Sequence, residues 1–563
     1  MSRIRFALAQ LNPIVGDVTG NSLAILDAVA DSYARGARVI VTPEMSITGY
    51  PVDDLASSTD FIRQSEAGVN SLAARLASDG FGDAVVIVGY LSEAAETEFG
   101  GARAHNSLGV LHEGRVLATY AKRHLPNYSV FDEERVFVPG DGTLVLEMGG
   151  VLTGFLICED LWRSDGPVAE LAARDLDAVV VINASPFDTG KDETRFPLLA
   201  TRAAEFGATV VYVNAVGGQD DLVFDGDSAV LDASGSTLLR ATQFEPALEL
   251  IDIGGSRESA DGIPLTEPHD DITPFIGADL PDLEAIWGAL VLGVRDYVTK
   301  NGFPSIALGL SGGIDSAVCA VIAADAIGAD RVYGVSMPSR YSSDGSKDDA
   351  HELANTIGCH YDVQPIADLV SPFEAQLGLT GVAAENIQAR ARGMILMALS
   401  NQHGHLVLST GNKSEVAVGY STMYGDTVGG FAPLKDVFKT LVWELARWRN
   451  AAADSRGETP PIPLSSITKA PSAELRPDQT DQDSLPPYDV LDAILEQLIS
   501  QRHSISAVVS AGFDRATVER IANLVAGSEW KRRQGAIGPR ISRMAFGRER
   551  RLPITVRHTP GLG

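Results

Sequence analysis

Short apolar runs alternate with amphipathic stretches through the first half of the chain. Residues 38–43, 84–89, 152–157, 178–183 and 209–214 are each too short for a helix and apolar at successive positions rather than at every second one. That pattern predicts strands buried on both faces of a sheet. Between the first of these runs, Leu23, Leu26, Ala30 and Tyr33 recur at three- and four-residue spacing behind Asn21 and Ser22. This predicts an amphipathic helix capped at that point. From about residue 254 to 280, Gly, Ser, Asp and Pro predominate and the apolar period disappears, as in an interdomain linker. A second α/β unit then opens with a helix over 283–299, a strand over 306–310, a glycine turn, and a helix carrying Val318, Val321, Ile322 and Ala326 on one face. The expected organisation is a domain over 1–253, a linker over 254–282 and a second domain over 283–563.

Composition supports two cores and narrows the partners. The chain has 563 residues, 45% hydrophobic and 21% charged, enough for more than one globular domain. Its formal net charge of -29 repels phosphate backbones and anionic lipids, so neither a nucleic acid nor a membrane is expected as a partner. The opening residues run directly into the strand-like Phe6-Ala7-Leu8-Ala9-Gln10, without a signal-peptide pattern, and no apolar stretch approaches the roughly 18 residues of a membrane helix. A cytoplasmic enzyme is expected. Cys158, Cys319 and Cys359 are too few and too scattered for a disulfide framework or a cysteine zinc cluster.

Cys158 follows the apolar run 152–157, so its thiol is placed at a strand end, where active sites collect in α/β folds. A lone cysteine there also reads as a small buried hydrophobe. Two other motifs change that. Glu44 lies just past a run in Pro43-Glu44-Met45-Ser46-Ile47-Thr48-Gly49-Tyr50-Pro51, and Lys122 opens Lys122-Arg123-His124-Leu125-Pro126-Asn127-Tyr128. With Phe131-Asp132-Glu133-Glu134-Arg135-Val136-Phe137, these resemble the glutamine amidase branch of the nitrilase superfamily over roughly residues 4 to 250. The resemblance implies an α/β/β/α sandwich and a Glu44, Lys122, Cys158 catalytic set. The chemistry fits these residue types. A carboxylate takes the thiol proton, the sulfur attacks the carboxamide of glutamine, and a fixed lysine charge stabilises the oxyanion. The resemblance also implies that Tyr128, Ser185 and Lys191 hold glutamine; from the residues alone, Tyr128 could equally be core and Lys191 a solvated charge. Glu133 is a second glutamate near the site, either catalytic or orienting Lys122.

In the second half, Ser311-Gly312-Gly313-Ile314-Asp315-Ser316 lies between a predicted strand and helix, where backbone N–H groups and a helix N-terminus can converge on phosphate. It lacks the Gly-Lys-Ser/Thr ending of a Walker loop. It resembles the N-type ATP pyrophosphatase loop, which implies a Rossmann-like parallel sheet and cleavage of ATP to an adenylate and pyrophosphate. Further motifs choose among the families sharing that loop: Met337-Pro338-Ser339, 385–392, Ser409-Thr410-Gly411-Asn412-Lys413-Ser414-Glu415, 419–426 and 471–475. Together with the amidase half they resemble the glutamine-dependent NAD synthetase family over most of the chain.

The resemblance implies that deamido-NAD+, ATP and glutamine become NAD+, AMP, diphosphate and glutamate, with Mg2+ on the triphosphate. It places ATP against Gly309, Leu310, the Ser311 to Ser316 loop, Thr410 and Lys439, and deamido-NAD+ against Asn386, Arg392, Glu415 and Lys531. Asp315 and Glu415 are the expected Mg2+ ligands, since that ion takes oxygen donors and few carboxylates. On a long helix, Asn386 and Arg392 could instead be surface groups. The resemblance further implies a homo-oligomer, at least a dimer through the synthetase domain. The segment from Lys531 to Arg557 is strongly basic; on composition alone it suggests nucleic acid, yet the acidic whole favours folding over an anionic substrate or a partner subunit. Residues 465–487, rich in Pro, Ser and Asp, read as a loop able to close over the adenylate.

Overall fold

The computed structural model describes residues 2–94, 103–257 and 262–556. Residues 258–261 of the expected linker and Arg557 of the basic segment lie outside the described residues. The chain divides into one unit of residues 1–219 with 223–280 and a second of 220–222 with 281–563.

The first unit is built on two six-stranded sheets. One runs in the order Ala247–Gly254, Arg3–Gln10, Val39–Val41, Val85–Glu93, Ala104–His112, Arg115–Ala121. The other runs Thr237–Arg240, Ala229–Leu231, Thr209–Asn214, Ala178–Asn183, Val151–Ile157, Val145–Met148. Phe6, Leu8, Val39 and Val41 of the first sheet share a buried core with Phe155, Ile157, Val180, Ile182, Val211 and Val213 of the second. The alternate residues face outward to helices. Ala7 and Ala9 pack with Ile25, Val29, Val69 and Leu72 of helices Val18–Ala34 and Thr59–Ser78. Leu156, Val179, Val181 and Tyr212 pack with Leu199, Ala203 and Phe206 of helix Asp192–Phe206. Both faces of the central strands are therefore covered, which is why their sequences read as continuous apolar runs. The result is an α/β/β/α sandwich.

Helix Val18–Ala34 begins earlier than its periodicity predicts. Asp17, not Asn21 or Ser22, is the cap, accepting from the Gly20 N–H. Asn21 is buried inside the helix, where its amide donates to Ile14 O at 2.8 Å and Ile47 O at 3.1 Å. Leu23 is consequently exposed, and Ile25, Leu26 and Val29 form the buried face.

The stretch from Gly262 to Leu280 is mostly irregular, but it is fastened to the first unit. Gly149 N donates to Ile263 O at 2.8 Å, Gly277 N donates to Arg240 O at 2.8 Å, and Asp270 Oδ1 accepts from Arg5 at 2.9 Å.

The second unit carries a four-stranded, all-parallel sheet in the order His360–Val363, Val332–Ser336, Ile306–Gly309, Leu406–Val407. Helix Ile314–Ile327 packs on this sheet and against helices Asp282–Lys300 and Lys439–Ser455. Being covered all round, it buries every residue from Ser316 to Ala323 rather than the single predicted face. A further core joins Ala417 and Val418 to Leu491, Ile494, Ile521, Met544 and Phe546.

Candidate functional site

In the first unit the ends of both sheets supply one buried ionic cluster. Glu44 stands three residues past strand Val39–Val41, on a turn whose next residue, Met45, has φ 51°. A Cβ at Gly89 would stand 2.0 Å from Met45 N, so this strand residue has to be glycine for the turn to close. Glu44 is fully buried; its Oε1 accepts from Lys122 Nζ at 2.8 Å and Asn106 Nδ2 at 2.7 Å, and its Oε2 from Ala184 N at 2.8 Å. Lys122, one residue past strand Arg115–Ala121, also donates to Glu133 Oε1 at 2.9 Å, and that oxygen accepts from Tyr50 Oη at 2.9 Å. Burial disfavours the Lys122 charge, but Glu133 and Glu44 outweigh it and hold the ammonium well above its ordinary range. Glu133 is pushed up to about 7, by burial and by Glu44, against the pull of Lys122.

Cys158 follows strand Val151–Ile157 and takes φ 46°, ψ −99°, a backbone conformation costing on the order of 1–3 kcal/mol outside glycine. The neighbouring strand and turn hold it there: Cys158 N donates to Ile182 O at 3.0 Å, and Leu161 N donates to Cys158 O at 3.0 Å. Burial, then Glu44, raise the thiol pKa well above its usual value, with Lys122 opposing. The resting sulfur is therefore protonated, and would need a base to act as a nucleophile.

The other candidates of this unit surround that cluster. Ser185 is buried one residue past Ala184 and bound through its N–H to Asn214 Oδ1 at 2.8 Å. Tyr128 is not core: it is 54% exposed, and its Oη donates to Glu159 Oε2 at 2.8 Å. Lys191 is not a free surface charge either. It caps helix Asp192–Phe206, its ammonium lies 4.9 Å from the Trp162 ring centroid, and it is 4.0 Å from Asp188. Glu159 and Trp162 belong to the helical turn that starts immediately after Cys158, so this turn links Tyr128 and Lys191 to the thiol. Elsewhere, carboxylate oxygens of Asp192, Asp225 and Asp227 lie within 4.8 Å of one another, but Arg195 and Arg240 fill that cluster with contacts of 2.6–3.4 Å.

In the second unit, Gly309 ends a strand and Leu310 N donates to Val335 O at 2.9 Å, aligning the loop with the sheet. Ser316 Oγ accepts from Ser311 N at 3.3 Å and donates to Gly313 O at 2.9 Å, curling Ser311 to Ser316 around the N-terminus of helix Ile314–Ile327. Gly312 has φ 75°, and a Cβ there would stand 2.1 Å from Ser346 O. Asp315 ion-pairs with Lys439 Nζ and accepts from Asn412 Nδ2 at 3.0 Å. Lys439 Nζ is also 3.7 Å from Glu415 Oε1, which brings three of the candidates together. Glu415 closes a capping box with Asn412. Its carboxyl is pushed up to about 8, by burial first and then by Asp315. Thr410 is half-buried beside Ser409, two residues before Asn412.

The dinucleotide candidates fall into three places, Glu415 standing beside Lys439. Asn386 Oδ1 accepts from Thr422 Oγ1 at 2.8 Å, and Lys531 Nζ donates to Gly419 O and Ser421 O, each at 2.7 Å, so these two meet at the turn 419–422. Arg392 turns away from it, its Nε donating to Met337 O at 3.0 Å; burial pushes its pKa down to about 10. Much of the basic segment is neutralised internally: Arg532 is buried against Glu529 at 3.0 Å and Ala417 O at 2.7 Å, and Arg540 pairs with Glu549.

These two constellations coincide with two known families in one chain. The Carbon-nitrogen hydrolase family matches residues 5–257, and the NAD synthase family matches residues 286–535. The glutamine-dependent NAD(+) synthetase of Rhodobacter capsulatus is 46% identical, covering 99% of each chain, and that of Acinetobacter baylyi is 43% identical, covering 98% of each. The chain belongs to the glutamine-dependent NAD(+) synthetase family. Among solved structures, the Acinetobacter baumannii glutamine-dependent NAD+ synthetase in complex with ADP matches with a TM-score of 0.75 at 41% identity, over 98% of both chains. The Cytophaga hutchinsonii synthetase, 24% identical with a TM-score of 0.82, shares the fold.

For this member of the synthetase family, several residues that sequence reasoning missed position the candidates. Asp160, two residues after Cys158, accepts from Arg123 N at 3.1 Å, His124 N at 2.8 Å and Tyr120 Oη at 2.8 Å, which ties the segment after Lys122 to the turn after Cys158. Its signal is local, since it stands two residues after Cys158. Asn106 and Asn214 carry no local signal, because their partners lie far away in sequence, and Tyr50 stands in the Glu44 motif, which does not show that it reaches Glu133.

Proposed function

We infer that the chain makes NAD+ from deamido-NAD+ and ATP, using glutamine as nitrogen donor, with the candidate residues acting in the roles set out here. The observation that carries this is the pairing of the buried Glu44–Lys122–Cys158 cluster with the 309–316 loop in one chain. Glu44 accepts the Cys158 proton as the sulfur bonds to the carboxamide carbon, and Lys122 faces the oxyanion. The C–N bond then breaks, with the Glu44 proton leaving on ammonia, and water hydrolyses the thioester to glutamate. Glu133 and Tyr50 orient Lys122. Tyr128, Ser185 and Lys191 hold glutamine. In the second unit the carboxylate of deamido-NAD+ bonds to the α-phosphorus of ATP, diphosphate leaves, and ammonia displaces AMP from the acyl adenylate. Gly309 to Ser316, Thr410 and Lys439 bind ATP, and Asn386, Arg392, Glu415 and Lys531 bind deamido-NAD+. Incubation with all three substrates and Mg2+ is expected to give NAD+, AMP, diphosphate and glutamate in equal amounts; absence of NAD+ overturns the reading.

The donor chemistry near Asp315 fits Mg2+. Two carboxylates share one ammonium, and the Glu415 carboxyl is pushed up by burial first and then by Asp315, whose repulsion a divalent cation would relieve. Asp315 and Glu415 would hold the ion, which would supply charge neutralisation on the triphosphate. Burial and Asp315 push the Glu415 carboxyl up to about 8, so a cation bound there at pH 7 would compete with its proton. Calorimetry of Mg2+–ATP binding at pH 7 in buffers of different ionisation enthalpy is expected to show about one more proton released from the wild type than from Glu415→Gln. Equal release removes Glu415 from the ion's ligands.

Dimerisation through the second unit is part of this reading. Supporting it, Leu369, Phe373 and Leu377 recur at every fourth position of helix Ala367–Leu377 and are 46–61% exposed, and Met394 and Met397 are exposed on the next helix. Apolar stripes of this kind are rarely left to water. Sedimentation is expected to give a dimer that Phe373→Asp weakens; an unchanged dimer moves the contact elsewhere. A cytoplasmic setting is supported by all three cysteines standing as free thiols.

A further inference from the structure

The loop 309–316 offers backbone N–H groups and hydroxyls to phosphate but contains no lysine or arginine. Lys439, the candidate lysine nearest to it, is committed to Asp315 and Glu415. During adenylation the carboxylate oxygen bonds to the α-phosphorus while the bond from that phosphorus to the α–β bridging oxygen breaks. The electron pair stays on that oxygen, and the departing diphosphate gains negative charge. A cation placed over the β- and γ-phosphates would stabilise that charge.

Lys469 is positioned for this. It immediately follows helix Leu464–Thr468, which packs against both helix Ile314–Ile327 and helix Asp344–Ile357. Ser466 Oγ in that helix donates to Gly312 O at 3.1 Å, so the segment is bonded directly to the phosphate loop. The Lys469 ammonium donates to Ser346 Oγ at 2.9 Å and Asp349 Oδ2 at 3.0 Å. Ser346 is the residue whose carbonyl leaves no room for a Cβ on Gly312. The lysine is thus anchored beside the loop's glycine turn, and with its side chain 33% exposed it is at a rim and free to rotate outward.

Its present partners have other hydrogen bonds. Asp349 Oδ1 accepts from Ser465 Oγ at 2.5 Å, and Ser346 Oγ donates to Glu474 Oε1 at 2.7 Å and accepts from Ser343 Oγ at 2.9 Å. Departure of the ammonium leaves each group with a hydrogen bond, so the cost of the exchange is the loss of Asp349's counter-charge, which the larger charge of a triphosphate has to offset. We propose that Lys469 is a phosphate-binding residue of the synthetase unit, resting on Asp349 in the free protein and transferring to the β- and γ-phosphates of bound ATP.

The inference rests on reading 309–316 as the ATP loop. The test uses the full chain with ammonium as nitrogen donor and varies ATP. Lys469→Met is expected to raise KM for ATP at least about tenfold, as for loss of a charge-assisted phosphate contact, without changing KM for deamido-NAD+. Lys469→Arg retains most of the affinity, and Asp349→Asn leaves KM for ATP no higher than wild type. The double variant Lys469→Met/Asp349→Asn is expected to be as impaired as Lys469→Met. A purely structural ion pair gives the opposite: Asp349→Asn is as damaging as Lys469→Met, and the double variant recovers. That result, or an unchanged KM for ATP in Lys469→Met, overturns the proposal. If Lys469→Met does not fold, Asp349→Asn decides alone. A wild type that forms no AMP from ATP would instead remove the reading of the loop itself.

Discussion

Cys158→Ala abolishes NAD+ formation from glutamine, by on the order of 10³-fold or more, and leaves formation from added ammonium near the wild-type rate. The expectation follows from the division of labour between the two constellations. The sulfur is the atom of the Glu44–Lys122–Glu133 neighbourhood able to form the thioester, and the described bonds of the 309–316 loop are made within the second unit. Small side chains are tolerated there sterically, since the strained backbone at Cys158 is held by bonds from its own N–H and C=O rather than by the thiol. Parallel assays with glutamine and with ammonium decide it. Loss of both activities would refute the separation of sites.

Asp315→Ala is expected to remove adenylation with either nitrogen source, lowering the ATP-dependent rate by about 10²–10³-fold. Asp315 does two things at once. It anchors Lys439 at the loop, and it forms half of the carboxylate pair that fits Mg2+. Without it Lys439 retains only Glu415, and Asn412 loses its partner across the loop. Diphosphate release measured at saturating ATP checks the effect; release at the wild-type rate would sink the assignment of the loop.

Much of the fold was legible because its central strands are covered on both faces. Residues 178–183 and 209–214 read as apolar throughout and are strands with those bounds. Helix starts were less legible. Asn21 resembles a cap in sequence, but its amide is used on Ile14 and Ile47, and a shorter-range cap at Asp17 wins. The helix after the 309–316 loop read as one-sided because periodicity cannot show that two further helices cover its remaining surface.

At the site, residues within strand-end motifs were visible and their supporters were not. Glu44, Lys122 and Cys158 each stand in a recognisable segment. Asn106, whose amide meets Glu44 at 2.7 Å across 62 positions of sequence, sits in an ordinary strand. The basic segment misleads for a related reason. Composition records the charges of Arg532 and Arg540 but not that Glu529 and Glu549 neutralise them within the fold.

The central claim is that nitrogen freed at Cys158 becomes the carboxamide of NAD+. Mass spectrometry of the product made from deamido-NAD+, ATP, Mg2+ and glutamine labelled with 15N at the amide tests it directly. NAD+ one mass unit heavier, with the label in the nicotinamide carboxamide, is the expected result. Unlabelled NAD+, or glutamate formed without any NAD+, would contradict it.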